Sequence, residues 1–242
     1  MQVIGHRGAA ALAPENTWES FDIALSLGVD AIETDVRATS DRKLILFHDD
    51  DLDRTTNGKG APHLAPWSVI NTLDAGSWFD KKFQGAKVPL LQESLLRYGN
   101  LTQLVVEIKQ PGIELEVLKI VDELQLIGNV TFTSFEFEVA KRIKAEYPNA
   151  KVGYLTSDIR DENIRRVIDA KLDQFCPPAN AVSPGLVQRW KNQGVEVRAW
   201  GVSNTEVMKK AIDAGVDGMT CDFPHILLEA LGRKNGYSPE RK

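Results

Sequence analysis

The sequence predicts an α/β protein in which eight parallel strand–helix units close into one (β/α)8 barrel. Short apolar segments of strand length alternate eight times with helical patterns, as is typical of parallel βα units. Gly28, Gly194 and Gly215 follow three of the predicted helices, where glycine most easily supplies the left-handed residue of a helix end. A length of 242 residues also suits a barrel that folds as a single domain.

The predicted elements follow one another in a regular order. The strands cover residues 3–5, 31–36, 104–108, 130–133, 152–155, 174–176, 195–200 and 218–221. The helices between and after them cover residues 17–27, 90–98, 113–126, 135–147, 160–169, 184–192, 205–214 and 224–231. We expect Asn16 to cap the first helix, with Glu19 returning a hydrogen bond to the backbone of the cap.

One further strand, residues 44–47, does not fit this alternation. Only residues 37–43 separate it from the second strand, whereas a parallel crossover needs a dozen or more residues, so we expect an antiparallel hairpin arm. Residues 49–87, between the second strand and its helix, are too long for a plain loop. We interpret them as a small inserted subdomain within a single domain that spans residues 1–242. Three aromatic residues are expected to form a small core there: Trp67, Trp78 and Phe79.

Composition and charge argue against several classes of protein. The formal charge of −5 provides no electrostatic reason to expect a nucleic acid or an anionic membrane as a partner. No segment approaches the roughly 18 apolar residues of a membrane span, so we expect no stable membrane anchoring. No secretory signal is visible, and Cys176 and Cys221 have no metal-binding spacing. If the chain is full-length, these features predict a reduced, cytoplasmic protein.

Charged residues stand at the carboxyl ends of two predicted strands. Glu33 and Asp35 share one face of the second strand, and Glu107 and Lys109 share one face of the third. The carboxyl ends of parallel strands open onto the catalytic face of a barrel. A single pair would be ordinary surface charge, but two such strands bring three carboxylates together, and a divalent cation would relieve their repulsion. Oxygen-only ligands favour Mg²⁺ or Ca²⁺.

Two histidines are expected to join this acidic group. His6 and Arg7 directly follow the first strand, and His48 ends the hairpin arm, roughly opposite Glu33. With Arg7 and Lys109 as fixed cations, the two imidazoles supply what phosphoryl chemistry requires. One can accept a proton while the other donates one, and the cations can neutralise charge that develops on phosphate oxygens.

Motifs along most of the chain carry a family resemblance. They are HRG at 6–8, PENT at 14–17, IETDV at 32–36, HD at 48–49, LDRTTNG at 52–58, LDAGSWF at 73–79, EIK at 107–109, SF at 134–135 and GVDG at 215–218. In this set and order they resemble the glycerophosphodiester phosphodiesterases. The combination is far more specific than any one motif.

The resemblance implies a distorted (β/α)8 TIM barrel with a small insertion, and a phosphodiesterase that uses one divalent cation. It implies metal ligation, acid/base catalysis and phosphate contact for residues that the strand argument had already grouped. The metal ligands are Glu33, Asp35 and Glu107, the acid/base pair is His6 and His48, and the phosphate contacts are Arg7 and Lys109.

The sequence departs from the family pattern late in the barrel. Where the family tends to have Trp-Thr-Val-Asn, residues 200–203 are Trp-Gly-Val-Ser, and Cys221 replaces the threonine of Thr-Asp-x-Pro. These changes affect the shape of the pocket on that side. Trp200 either forms a wall of the substrate pocket or packs at the barrel rim, and the sequence leaves both open.

The implied reaction is hydrolysis of a glycerophosphodiester to glycerol 3-phosphate and an alcohol such as choline or ethanolamine. Attack by the glycerol 2-hydroxyl would form a cyclic phosphate, which water then opens. Three alternatives remain: a lysophospholipase D-like phosphodiesterase, another metal-dependent barrel enzyme such as an aldolase or isomerase, and a catalytically silent binding module. The leaving alcohol, Mg²⁺ against Ca²⁺, the order of the two histidines, the oligomeric state and the role of the insertion stay open.

Overall fold

Eight parallel strands close into a barrel in the computed structural model, which describes residues 1–236. The strands of the sheet are β1 (Gln2–Gly5), β2 (Ala31–Ala38), β3 (Leu44–Leu46), β4 (Gln103–Ile108), β5 (Val130–Ser134), β6 (Lys151–Leu155), β7 (Gln174–Cys176), β8 (Glu196–Ala199) and β9 (Gly218–Cys221). Their order is β1-β9-β8-β7-β6-β5-β4-β2-β3, and pairing of β1 with β2 closes the ring. The prediction of a TIM barrel is confirmed.

Helices surround the barrel and bury one face against it. They are α1 (Trp18–Leu27), α2 (Trp67–Ile70), α3 (Leu91–Tyr98), α4 (Glu114–Glu123), α5 (Phe137–Glu146), α6 (Asp161–Asp169), α7 (Pro184–Lys191), α8 (Thr205–Ala214) and α9 (Pro224–Ala230). Fully buried aromatic rings such as Phe21, Phe132 and Trp190 fill the layer between strands and helices. Among residues 1–236, no helix combines the length and apolar character needed to cross a membrane.

The hairpin arm is antiparallel, as predicted. In the register of β2 with β3, Val36 lies opposite Leu46, and the Phe47 amide donates to the carbonyl of Asp35. Extending this register places His48 beside Thr34, one residue from the predicted position. The arm therefore returns His48 to the carboxyl end of β2.

Thr17, rather than the predicted Asn16, caps helix α1. The Thr17 side chain accepts a hydrogen bond from the Ser20 amide, as N-cap threonines do. Asn16 instead has a left-handed backbone with φ of 55°. This conformation turns its side chain toward β2, where it has a different role.

The segment 49–87 packs around a small apolar cluster. Beside α2 it contains two short 3-10 turns, Pro62–Leu64 and Lys81–Phe83. The buried members of its cluster are Ile45, Phe47, Leu52, Ile70, Ala75 and Val88. Trp67 packs against this cluster, but Trp78 is 39% exposed, so the expectation that three aromatic residues form the core is wrong. The burial comes instead from aliphatic side chains together with Phe47 of the hairpin arm, and an independent subdomain stays a prediction.

The barrel interior is apolar at one end and polar at the other. A small apolar cluster of Ile4, Ala31 and Val105 fills the interior near β1, β2 and β4. TIM-barrel interiors are usually filled by bulky branched residues. Toward the carboxyl ends of the strands this filling gives way to charged and hydroxyl side chains around a cavity.

Candidate active site

A cavity of about 290 Å³ opens at the carboxyl ends of the strands. Seven of the eight predicted site residues line it: His6, Arg7, Glu33, His48, Glu107, Lys109 and Trp200. Asp35 lies behind this surface and is fully buried. The structure thus brings together residues that are spread over β1, β2, the hairpin arm, β4 and β8.

Three carboxylates form the centre of this site. One carboxylate oxygen from each of Glu33, Asp35 and Glu107 lies within 4.8 Å of the others, and all three residues are buried. Burial and the nearby Asp35 charge raise the pKa of Glu33 to about 7, and the same two causes raise the pKa of Glu107. Such a group of oxygens can hold a divalent metal ion.

Asp35 stays ionised because cations surround it. Burial alone would raise its pKa, but Arg7 above all, with His48 and Lys109, holds the pKa below the usual range. Among the described residues its Oδ1 has no hydrogen-bond partner. A buried carboxylate oxygen without a partner, facing two further carboxylates, fits the donor set of a hard cation.

Arg7 and Lys109 offset the negative charge of the three carboxylates Glu33, Asp35 and Glu107, which we call the acidic trio. Arg7 Nε lies 3.3 Å from Asp35 Oδ2, and the Arg7 amide donates to Glu33 Oε2 at 2.9 Å. Lys109 Nζ donates to Glu107 Oε1 at 2.8 Å and lies 3.8 Å from Asp35 Oδ1. Both cations are side chains at the cavity wall, so they can also contact an anionic group bound there.

His6 is oriented by an aspartate from the last strand. Its Nδ1 donates to Asp222 Oδ1 at 2.5 Å, while Nε2 lies 3.9 Å from Glu33 Oε2. Burial alone would lower the pKa of His6, but Asp222 and Glu33 outweigh it and raise the pKa. With Nδ1 engaged, Nε2 is the nitrogen left to exchange protons in the cavity.

His48 is oriented in the same way by its neighbour Asp49. The His48 Nδ1 donates to Asp49 Oδ1 at 2.6 Å. Arg54 then binds Asp49 through Nε at 2.6 Å and binds both Glu15 oxygens at 2.7 Å. Glu15 accepts a further hydrogen bond from Arg7, so one chain of charged groups joins Arg7 to His48.

Asn16 supports the acidic trio from below. Its amide nitrogen donates to Asp35 Oδ2 at 2.9 Å, and its carbonyl oxygen accepts from the Thr34 hydroxyl at 2.7 Å. This pair of bonds holds Asp35 in one orientation. The left-handed backbone of Asn16 is thereby explained by the site rather than by the helix it precedes.

Trp200 packs at the barrel rim and also lines the cavity, and its contact with substrate stays a prediction. Its Nε1 donates to the Cys176 carbonyl at 2.9 Å, which fixes the indole at the rim. Its ring meets that of Phe135 edge to face, with centroids 4.9 Å apart. Both rings line the cavity, so rim packing and a cavity wall are the same arrangement.

Several residues around the site escaped the sequence argument. Glu15 and Asp49 lie inside the motifs quoted above, but the motifs alone do not show that Arg54 joins them. Asp222 had a weak signal, because residues 28–35 and 215–222 both run from Gly-Val-Asp through a strand to an aspartate. Glu196 and Arg198 alternate with apolar residues along one predicted strand, a pattern that does not single out Arg198.

Fold and cavity together define a TIM-barrel protein with an acidic, histidine-containing site at the carboxyl ends of its strands. Residues 6–226 match the model of the glycerophosphoryl diester phosphodiesterase family. The chain therefore belongs to this family, and the predictions of the family and of an enzyme of this kind are confirmed.

Individual relatives agree with this assignment over nearly their full length. A glycerophosphodiester phosphodiesterase of Caldanaerobacter subterraneus is 36% identical, covering 97% of this chain and 98% of the relative. The crystal structure of a glycerophosphodiester phosphodiesterase from Agrobacterium tumefaciens is 30% identical, with a TM-score of 0.84 over 95% of this chain and 99% of that one. An Oleispira antarctica phosphodiesterase, solved with the product sn-glycerol-3-phosphate, is 28% identical, with a TM-score of 0.85 over 96% and 97% of the two chains.

Proposed function

We propose that this protein hydrolyses glycerophosphodiesters to glycerol 3-phosphate and an alcohol, with a divalent cation and two histidines as acid and base. One observation carries the proposal. Two imidazoles, each bound to an aspartate through Nδ1, face the cavity that contains the acidic trio. The product in the Oleispira antarctica structure supports the choice of substrate.

Glu33, Asp35 and Glu107 would hold one cation, Mg²⁺ or Ca²⁺. When bound, such an ion neutralises the carboxylates and polarises a phosphoryl oxygen. The residues fit this role because the ligand atoms are all oxygens, lie close together and are shielded from solvent.

Arg7 and Lys109 would bind the phosphate group. Each already contacts the trio, so each is held in place before the substrate arrives. Prior orientation of this kind favours the charge that develops during phosphoryl transfer. Trp200 would form the wall against which the substrate lies.

His6 and His48 would move the protons. The Nε2 of one takes the proton of the glycerol 2-hydroxyl as its oxygen attacks phosphorus, and the other protonates the departing alcohol as its P–O bond breaks. This forms a cyclic phosphate. Water then adds to phosphorus with the two roles reversed, and the ring P–O bond to the glycerol 2-oxygen breaks as that oxygen regains a proton. This gives glycerol 3-phosphate and restores both imidazoles.

The test is release of glycerol 3-phosphate from several glycerophosphodiesters, with chelator and after return of each divalent metal. We expect release that the chelator abolishes and that His6→Ala or His48→Ala removes. Hydrolysis of a 2-deoxy analogue at the full rate would contradict attack by the 2-hydroxyl. Activity only on lysophospholipids would indicate the lysophospholipase D-like alternative, and metal binding without any turnover would indicate a binding module.

We further propose that the enzyme works in the cytoplasm on a small-molecule substrate, without nucleic acid or a membrane anchor. Cys176 and Cys221 are both free thiols, and burial raises the pKa of each. Unreactive buried thiols suit a reducing compartment. Fractionation of cells that express the protein would test this location.

A further inference from the structure

Arg198 stands inside the barrel, on a strand that carries none of the acidic trio. It lies on β8, is only 2% exposed and lines the same cavity as the histidines. In the ring of strands, β8 is four positions from β4, which carries Glu107, whichever way one counts. The strand β2, which carries Glu33 and Asp35, is three positions away, and β1, which Arg7 follows, is two, so Arg198 stands on a different part of the cavity wall from the groups assigned to metal and phosphate.

Among the described residues, this guanidinium meets one hydroxyl and one thiol but no carboxylate. Its Nη1 donates to the Thr220 hydroxyl at 2.6 Å and the buried Cys176 thiol lies next to the side chain, but Nε and Nη2 are buried without a hydrogen-bond partner within residues 1–236. No carboxylate of that part of the chain forms an ion pair with it, whereas Arg7 and Lys109 both contact the trio. The Thr133 hydroxyl, on the same cavity, also has no partner in the described chain.

A buried, unpaired cation destabilises a fold, so it is retained for something other than stability. The interior of such a barrel could hold an aliphatic side chain at this position at no such cost. Nε and Nη2 form one edge of the planar guanidinium, and that edge matches two neighbouring acceptor oxygens. The free edge therefore calls for a ligand with paired oxygens.

We infer that Arg198 is a binding subsite for two neighbouring oxygens of the substrate other than those of the reacting phosphoryl group, and the Thr133 hydroxyl lines the same cavity. This inference rests on the proposed function, which places the phosphoryl group at Arg7, Lys109 and the trio. A glycerophosphodiester offers such a pair in the vicinal hydroxyls of its glycerol. Some leaving alcohols, such as glycerol and inositol, offer a second pair. A quaternary ammonium group is repelled at this wall.

Two variants separate the charge of Arg198 from its shape. Arg198→Met removes the cation and keeps an unbranched chain, whereas Arg198→Lys keeps the charge and loses the paired edge. Arg189→Gln, on the outer helix α7, is the matched control, because Arg189 is a half-exposed arginine that pairs with Asp161. With metal present, calorimetry measures binding of inorganic phosphate and of sn-glycerol 3-phosphate. Kinetics compare the glycerol, inositol and choline diesters.

Two results support the subsite and identify its ligand. If it holds the glycerol hydroxyls, Arg198→Met weakens the binding of glycerol 3-phosphate about tenfold or more but changes the binding of inorganic phosphate by no more than about twofold. The same variant then raises KM for all three diesters alike. If it holds the alcohol, product binding is unchanged and KM rises for the glycerol and inositol diesters but not for the choline diester. Arg198→Lys should recover less than half of the lost binding free energy in either case.

Other results overturn it. Equal weakening of phosphate and glycerol 3-phosphate would assign Arg198 to the reacting phosphoryl group, and no change in any constant would leave it without a ligand. A fall in Tm of about 10 °C or more in Arg198→Met would show that the arginine stabilises the barrel. Wild-type protein that binds glycerol 3-phosphate through Arg198 yet cleaves no diester would refute the proposed function and not the subsite.

Discussion

Replacing Glu33 with glutamine is expected to stabilise the metal-free protein at pH 8 while abolishing its activity. Glu33 is buried beside Asp35, and its pKa is raised from an ordinary 4.5 to about 7. The ionised carboxylate is therefore the unfavourable form in the folded protein. Glutamine keeps the shape and a carbonyl acceptor for the Arg7 amide, but never ionises.

The magnitude follows from the size of the shift. Raising the pKa from 4.5 to about 7 corresponds to about 3.5 kcal/mol, at about 1.4 kcal/mol for each tenfold change in the ionisation constant. Because the folded pKa lies above the unfolded one, the stability contributed by protonated Glu33 is present below pH 4.5 and is lost as the pH rises through 7. Glu33→Gln has no such loss. Its free energy of unfolding should therefore exceed that of the wild type by an amount that grows between pH 4.5 and 7 and levels off above pH 7.

Urea unfolding in chelator, at several values between pH 4.5 and 8, measures the effect as a difference between the two proteins. The control is Glu114→Gln, since Glu114 is equally buried but is bonded to Arg142 and to the Gly112 amide, and this variant should gain nothing. Added Mg²⁺ or Ca²⁺ should stabilise the wild type far more than Glu33→Gln. The reasoning fails if Glu33→Gln is the less stable protein at pH 8, or if the difference does not vary with pH.

Three further outcomes follow from contacts in the structure. His6→Ala should lower kcat by about 10²–10⁴ without loss of Tm, because in the proposed reaction the imidazole moves a proton, and it lies at the cavity surface. Arg54→Lys should lower kcat about tenfold, since lysine cannot hold Asp49 and Glu15 together. Its metal affinity, measured by calorimetry, should be unchanged, and weaker metal binding would contradict this prediction. Gly76→Ala should destabilise the protein by about 2–4 kcal/mol in urea, as a Cβ there would overlap the Phe83 carbonyl oxygen; an unchanged midpoint would show that the insertion adapts.

The predicted elements and the observed ones agree closely, and the differences have local causes. The strand predicted at 195–200 is shorter, Glu196–Ala199, because Trp200 forms only an isolated bridge with Pro178. Asn16 and Thr17 could each cap the helix by their residue type. The Asn16 side chain is bonded to Thr34 and Asp35 of β2, so Thr17 is the one free to act as the cap. Such choices depend on what the side chain meets across space.

The insertion was the least predictable part. Its aromatic residues suggested a core, since large apolar side chains are usually buried. Trp78 instead lies partly exposed, with the Arg54 guanidinium 5.8 Å from its ring centre. A segment this short buries little surface by itself, so its packing is decided by the hairpin arm against which it lies.

The sequence by itself determined the barrel, the family and the gathering of the acidic residues. Alternating apolar segments can be buried in few ways, and in parallel strands Glu33, Asp35 and Glu107 must share one end. Only the tertiary structure decided what orients the histidines and what faces them. His6 and Asp222 are 216 residues apart, and closure of the ring between β1 and β9 brings them together. The unpaired edge of Arg198 likewise depends on contacts across the barrel, which no local pattern records.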